Sequence, residues 1–221
     1  MLKHQYKRLF YLLCGPLLRA SGFIYRNFRV PRTGKLKVHL GPGQRNYLTG
    51  WVNVDANMFT GKCDVWADLD NALPFPDNSV DVVYSHHVIE HLKDTPGHFR
   101  EVFRILKPGG RFRIGGPNGD SACRKFLEGD LAWFPDFPDP RASIGGRFEN
   151  FVFCRREHLT ILTFSYLDEI ARLAGLIEIQ QCQPIVETHY PDDIGADVLA
   201  TEWESTPECP HTLLIEGRKP L

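Results

Sequence analysis

The run Val80–Tyr84 constrains this chain more than any other stretch: five residues, four of them apolar, with no alternation between an inner and an outer side. A strand of that kind needs cover on both faces, which is the situation of a central strand in a parallel sheet layered with helices. The flanking pattern agrees. Short apolar runs at Leu36–Leu40, Trp51–Val54, Cys63–Ala67, Arg111–Gly115, Ile177–Gln181 and Thr212–Glu216 read as six further strands. Between them, Phe99, Val102, Phe103 and Leu106 recur at helical spacing over Thr95–Leu106, and Pro108-Gly109-Gly110 stops that helix. A second helix is expected over Ser165–Ala174, with Ser165 and Asp168 at capping-box spacing and Gly175 closing it.

Strands alternating with helices predict an α/β, Rossmann-like doubly wound sheet of about seven mostly parallel strands with helices on both faces. The 221 residues, 43 % hydrophobic, suit one such domain, expected over 35–221. A net charge of -1 offers no field for nucleic acid, and no nucleic-acid partner is expected. Six cysteines lie far apart in sequence, without a CxxC pair, which fits reduced thiols and a cytoplasmic location.

Residues 1–34 form an amphipathic extension. Lys3, Lys7 and Arg8 precede the apolar run Leu9–Leu18, and Arg19 and Arg26 follow. The run is too short to span a bilayer, and Gly15-Pro16 is expected to break it. Two readings stay open: a helix packed on the domain or on a second copy in a homodimer, and an interfacial segment on the inner face of the membrane. A further stretch, residues 117–160, holds Pro117, Pro135, Pro138 and Pro140 among many aromatics, and reads as a loop-rich, lid-like insertion.

Ligands of a doubly wound sheet bind at the carboxyl ends of its strands. Gly41-Pro42-Gly43 follows the first expected strand, where glycines permit positive φ and close approach of a ligand; a simple strand-ending turn explains them equally well. Asp55 ends the second strand and could accept both hydroxyl hydrogens of a ribose. Asp68 ends the third and could accept from an adenine amino group. Either acid could instead cap a turn. Ser85, His86 and His87 follow the fourth.

Lys37–Asn57 (KVHLGPGQRNYLTGWVNVDAN), Asp64–Leu92 (DVWADLDNALPFPDNSVDVVYSHHVIEHL) and Val102–Asn118 (VFRILKPGGRFRIGGPN) together resemble the class I S-adenosylmethionine (SAM)-dependent methyltransferases. They are most similar to a bacterial branch found with glycan-assembly enzymes. The resemblance implies SAM as cofactor, with Gly41 and Gly43 facing its methionine part, Asp55 on the ribose, Asp68 and Leu69 at the adenine, and Ser85 and His86 near the sulfonium. It also implies a saccharide or related small molecule as acceptor. Two departures stand out: His39 occupies the place where the superfamily usually has an acid, and Gly43 to Asp55 is too short for the usual helix between the first two strands.

Methyl transfer to an oxygen needs alignment, exclusion of water and a general base. His87 and His86 are the leading candidates for that base, followed by His158; His91 lies further along the chain. A structural role is the alternative for each. His87-Val88-Ile89-Glu90-His91 also spells the HxxEH pattern of some zinc peptidases, but the surrounding motifs explain the segment without metal, and no metal site is expected. A non-catalytic, partner-binding subunit of the same fold is the other function class to weigh.

Overall fold

The computed structural model describes residues 4–221, with side chains from Leu9 onward. The side chains of Lys3, Lys7 and Arg8, part of the expected amphipathic extension, lie outside the described set. One seven-stranded sheet organises the chain: β1 (Lys37–Leu40), β2 (Val52–Asp55), β3 (Val65–Trp66), β4 (Val80–His86), β5 (Leu106–Pro117), β6 (Ile177–Cys182) and β7 (Thr212–Arg218), in the order β3-β2-β1-β4-β5-β7-β6. All pairs are parallel except those of β7, which runs antiparallel to β5 and β6. Strand order reverses between β1 and β4, so the binding crevice of this architecture falls at their carboxyl ends.

The helices are α1 (His4–Ile24), α2 (Thr95–Ile105), α3 (Gly119–Glu128), α4 (Ile144–Phe153), α5 (Phe164–Leu173) and the single turn α6 (Ala196–Leu199). On one face, Phe99, Val102 and Ile105 of α2 and Leu167, Ile170 and Ala171 of α5 close over Val38, Val83, Phe112 and Ile114. Asp94 caps α2, accepting from Gly97 N–H at 2.8 Å. Thr163, not Ser165, caps α5; Asp168 instead pairs with Arg172 one turn on, and Gly175 at φ +94° closes the helix as expected.

The opposite face is covered by α6 and irregular chain. Leu48, Trp51, Ile194 and Val198 pack on Val82 and Tyr84. Across this face the register aligns Asn53, His39, Tyr84, Arg113 and Glu216 on five adjacent strands, a polar row in a place where apolar side chains are the norm. Each member is buried and partnered. The His39 ring meets Asn53 Oδ1 at 3.2 Å, the Tyr84 hydroxyl meets Thr201 Oγ1 at 2.9 Å, and Arg113 binds both oxygens of Glu202 (2.6 and 2.7 Å) and one of Glu216 (2.6 Å).

Gly15-Pro16 does not break α1, which runs on through both residues and ends in a wider turn, Tyr25–Arg29. Tertiary contacts outweigh the lost backbone bond. Leu18 is buried, Ser21 Oγ accepts from Trp66 N–H at 3.2 Å, and Gly22 lies against Pro74 and Ala67. The insertion at 117–160 is less loop-like than its composition suggests. It carries α3 and α4, and Trp133, Phe134, Phe148 and Phe151 form a small core of their own under it.

Candidate functional site

Gly41 follows β1 at φ +72°, and a Cβ there would stand 2.2 Å from Val88 Cγ2, so only glycine fits. Gly43 has φ +58° and open space on its Cβ side. The chain then makes one turn, Asn46 N–H donating to Pro42 O at 3.1 Å, in place of a full helix. Asp55, at the end of β2, accepts from Gly43 N–H at 2.9 Å and from Asn57 N–H at 2.8 Å. It therefore fixes the glycine loop while each carboxylate oxygen keeps a second lone pair. Residues 57–61 fold over that loop, where a Cβ at Gly61 would meet the Gly43 carbonyl at 2.3 Å.

Asp68 acts as a turn cap, accepting from Asp70 N–H (3.1 Å) and from the Asn71 amide (2.8 Å). Burial pushes its carboxyl up from the ordinary value. Leu69 next to it is half-buried against the main core. The sequence reading missed α1 at this site. Burial, with the charges of Asp68, Asp70 and Asp55 behind it, pushes the Tyr11 phenol up to about 12. Phe10 adds an edge contact with Phe59, 6.1 Å between centroids.

At the end of β4, Ser85 is fully buried and its Oγ has no partner; His86 Nε2 is likewise buried and unpartnered. Burial holds the His86 imidazole well below its ordinary pKa, so it is neutral at pH 7. His39 is also neutral. Burial lowers it to about 4 despite the Asn53 bond, which accounts for a histidine where an acid is usual: it belongs to the polar row.

His87 adopts φ +55°, an uncommon value for a residue with a side chain, and turns its ring toward Glu90. Its Nδ1 lies 3.2 Å from Glu90 Oε1 and its Nε2 3.2 Å from Thr212 Oγ1. An ionised carboxylate only accepts, so Nδ1 carries the proton, and in the neutral ring Nε2 accepts from the Thr212 hydroxyl. Burial pushes the Glu90 carboxyl up, but the His87 hydrogen bond and the neighbouring imidazoles outweigh it and hold the group below its usual value. His158 reaches the same neighbourhood from the turn after α4, its ring 5.0 Å from that of His91. The structure thus brings His86, His87 and His158 to one end of the sheet and adds Glu90 and His91. The HxxEH peptidase arrangement is not formed, because residues 87–91 make a left-handed step and a single tight turn, Ile89–His91, instead of a helix. A separate cleft of about 420 Å³, lined by Arg26, Arg32, Asn78 and Lys107 among others, opens at the far end of the sheet, where the strands begin.

Residues 54–114 match the family model described as a methyltransferase domain, which spans β2 through most of β5. A Mycolicibacterium smegmatis protein named as a probable S-adenosylmethionine-dependent methyltransferase is 54 % identical over 46 residues, covering 21 % of this chain and 18 % of that protein. The match therefore spans under a fifth of that relative's length. Among solved structures, a Thermotoga maritima SAM-dependent methyltransferase superposes with a TM-score of 0.55 at 18 % identity, covering 97 % of this chain and 94 % of that one. A Haemonchus contortus phosphoethanolamine N-methyltransferase 2, in complex with phosphomonomethylethanolamine and S-adenosylhomocysteine, superposes at 0.50 and 16 % identity, covering 92 % of this chain and 53 % of that one. The fold is the Rossmann-like methyltransferase fold.

Proposed function

We propose that this chain is a SAM-dependent methyltransferase that methylates an oxygen of a saccharide or related small molecule. The observation that carries the reading is the pairing of Gly41-Pro42-Gly43 with Asp55 at adjacent strand ends, beside the reversal of strand order. The matched methyltransferase-domain segment supports it. Asp55 would hold the ribose hydroxyls, Asp68, Leu69 and Tyr11 would border the adenine, Gly41 and Gly43 would admit the methionine part, and the unpartnered Ser85 Oγ and His86 Nε2 would face the ligand. SAM supplies a methyl group already activated on a positive sulfonium.

The protein's own chemistry is then modest. His87, oriented by Glu90, would take the proton of an acceptor hydroxyl at Nε2 once that hydroxyl displaces the Thr212 hydroxyl from it, and the 117–160 insertion would exclude water. This oriented base is what favours an oxygen acceptor. The saccharide assignment rests on the resemblance of the sequence motifs.

Binding of S-adenosylhomocysteine to the wild type and to Asp55→Ala, measured by calorimetry, tests the reading. Two hydrogen bonds to a charged group contribute about 1.5–3 kcal/mol each, so the variant should bind at least about 100-fold more weakly. A folded wild type that binds nothing makes the partner-binding subunit the better description.

Peripheral membrane contact through α1 belongs to the same proposal. Its outer face exposes Leu9, Leu12, Leu13, Leu17 and Phe23, and residues 1–34 hold seven lysines and arginines with no acid. A second copy would bring like charges together, whereas an anionic bilayer complements them. No helix among the described residues is long and apolar enough to cross a membrane. Vesicles with anionic lipid should retain the wild type and release a variant with glutamate at 12, 13 and 17; equal retention removes the idea.

A further inference from the structure

Glu90, His91 and His158 form a cluster that the proposed methyl transfer leaves partly unexplained. One potential ligand atom from each lies within 4.8 Å of the others. The tautomers follow from their partners. His91 Nδ1 lies 2.8 Å from the Glu157 carbonyl and His158 Nδ1 lies 3.1 Å from the Val152 carbonyl. A carbonyl only accepts, so both Nδ1 atoms carry protons, and in the neutral rings both Nε2 atoms keep lone pairs. In the neutral ring the His91 Nε2 lone pair lies 3.8 Å from Glu90 Oε1, with no donor between two electron-rich atoms. Such a gap calls for a cation.

Glu90 adds an independent sign. Its side chain is 1 % exposed, yet Oε2 has no hydrogen-bond partner, an unfavourable arrangement for a charged group. The backbone is built to hold the cluster. Three consecutive residues, Cys154, Arg155 and Arg156, take φ of +43°, +57° and +65° before His158, and Leu159 N–H ties the segment to the Glu90 carbonyl at 2.7 Å. Imidazoles that donate their second nitrogen to a backbone carbonyl are the usual supporting arrangement of metal-bound histidines.

We infer that Glu90, His91 and His158 bind one divalent transition-metal ion, the two histidines through Nε2 and Glu90 through its carboxylate. Two imidazoles and one carboxylate suit Zn²⁺, Co²⁺ or Fe²⁺ and not the all-oxygen preference of Mg²⁺ or Ca²⁺. Three protein ligands leave at least one coordination position open, and both imidazoles are partly exposed. Its use in activating an acceptor oxygen beside His87 rests on the methyltransferase reading; the binding of the ion does not.

The test uses untagged full-length protein, freed of metal by a chelator and titrated with Co²⁺ and then Zn²⁺. One Co²⁺ per chain should give the intense visible bands of a low-symmetry site, and Zn²⁺ should displace it. His158→Ala, in a surface turn, should weaken binding at least tenfold, as should His91→Ala; Glu90→Gln is read only if circular dichroism shows it folded. His87→Ala should retain the ion. No Co²⁺ spectrum in the wild type, or equal binding by His158→Ala and His91→Ala, overturns the inference. S-adenosylhomocysteine binding, measured on the same samples, separates the two ideas: cofactor without metal defeats the site alone, and metal without cofactor defeats the methyltransferase reading alone.

Discussion

Replacing Arg113 with methionine should be among the most damaging single changes in this protein. The guanidinium and both partner carboxylates are fully buried, and four of its hydrogen bonds are made at once: two to Glu202, one to Glu216 and one to the Glu187 carbonyl at 3.0 Å. Methionine fills similar volume but leaves two carboxylates in a space without water. Glu216 would keep the Thr188 hydroxyl and His189 N–H, and Glu202 would keep Ile185 N–H, so part of their solvation survives. Breaking a buried ion pair by removing one partner costs about 3–5 kcal/mol, and with two partners stranded the upper figure applies. For a chain of this length each kcal/mol lowers Tm by about 2–4 °C, so scanning calorimetry at pH 7 should show a fall of roughly 10–20 °C. The triple variant Arg113→Met, Glu202→Leu, Glu216→Met should recover most of that loss, because no charge is left stranded. A drop of only a few degrees in the single variant, or a triple variant no more stable than the single, would refute the reasoning.

Gly41→Ala forces a side chain into a left-handed residue, which costs about 1–2 kcal/mol, and drives its Cβ into Val88. Calorimetry should show S-adenosylhomocysteine binding at least tenfold weaker, with partial recovery when Val88 is also shortened to alanine. Stability should also depend on pH through Glu204 and His211, which pair at 3.0 Å. Burial opposes ionisation of Glu204, but the His211 bond and the N–H groups of Thr206 and Thr212 win and lower it from 4.5 to about 2. Its stabilisation, about 3 kcal/mol, is complete above 4.5 and fades as pH falls toward 2. His211 is raised above 6.5 by Glu204 and the Trp133 carbonyl against the opposing effect of burial, so its share is complete below 6.5 and fades as pH rises through the folded value. Thermal unfolding across pH should therefore show a contribution that peaks between 4.5 and 6.5 and vanishes in Glu204→Gln.

All seven strands could be read from the sequence as short apolar runs bounded by Gly, Pro and Asp, including β6 and β7, which pair antiparallel. The missing helix after β1 was also legible, from the spacing of Gly43 and Asp55 alone. Other features were not. Arg113 sits in an otherwise strand-like run, and nothing local reveals that its partners arrive from residues 187–216. Local rules stop α1 at Gly15-Pro16, whereas packing of Leu18, Ser21 and Gly22 carries the helix through. His86, His87 and His158 stood out as residue types, but Glu90 and His91 gain meaning only when the turn after α4 brings His158 beside them, 67 positions along the chain from His91. That contact depends on a strained turn that no propensity scale foresees.

The polar row across β2, β1, β4, β5 and β7 carries a consequence for sequence change. On the helix-covered face, one aliphatic side chain can stand in for another with modest loss. In the row, the buried side chains depend on specific polar partners: His39 on Asn53, Tyr84 on Thr201, and Arg113 on Glu202 and Glu216. Substitutions there must be concerted, and a graft of residues 183–202 onto a related sheet would need Arg113, Tyr84 and Glu216 to travel with it. The helix-covered face thus tolerates drift, while Arg113, Glu202 and Glu216 change together or at a cost.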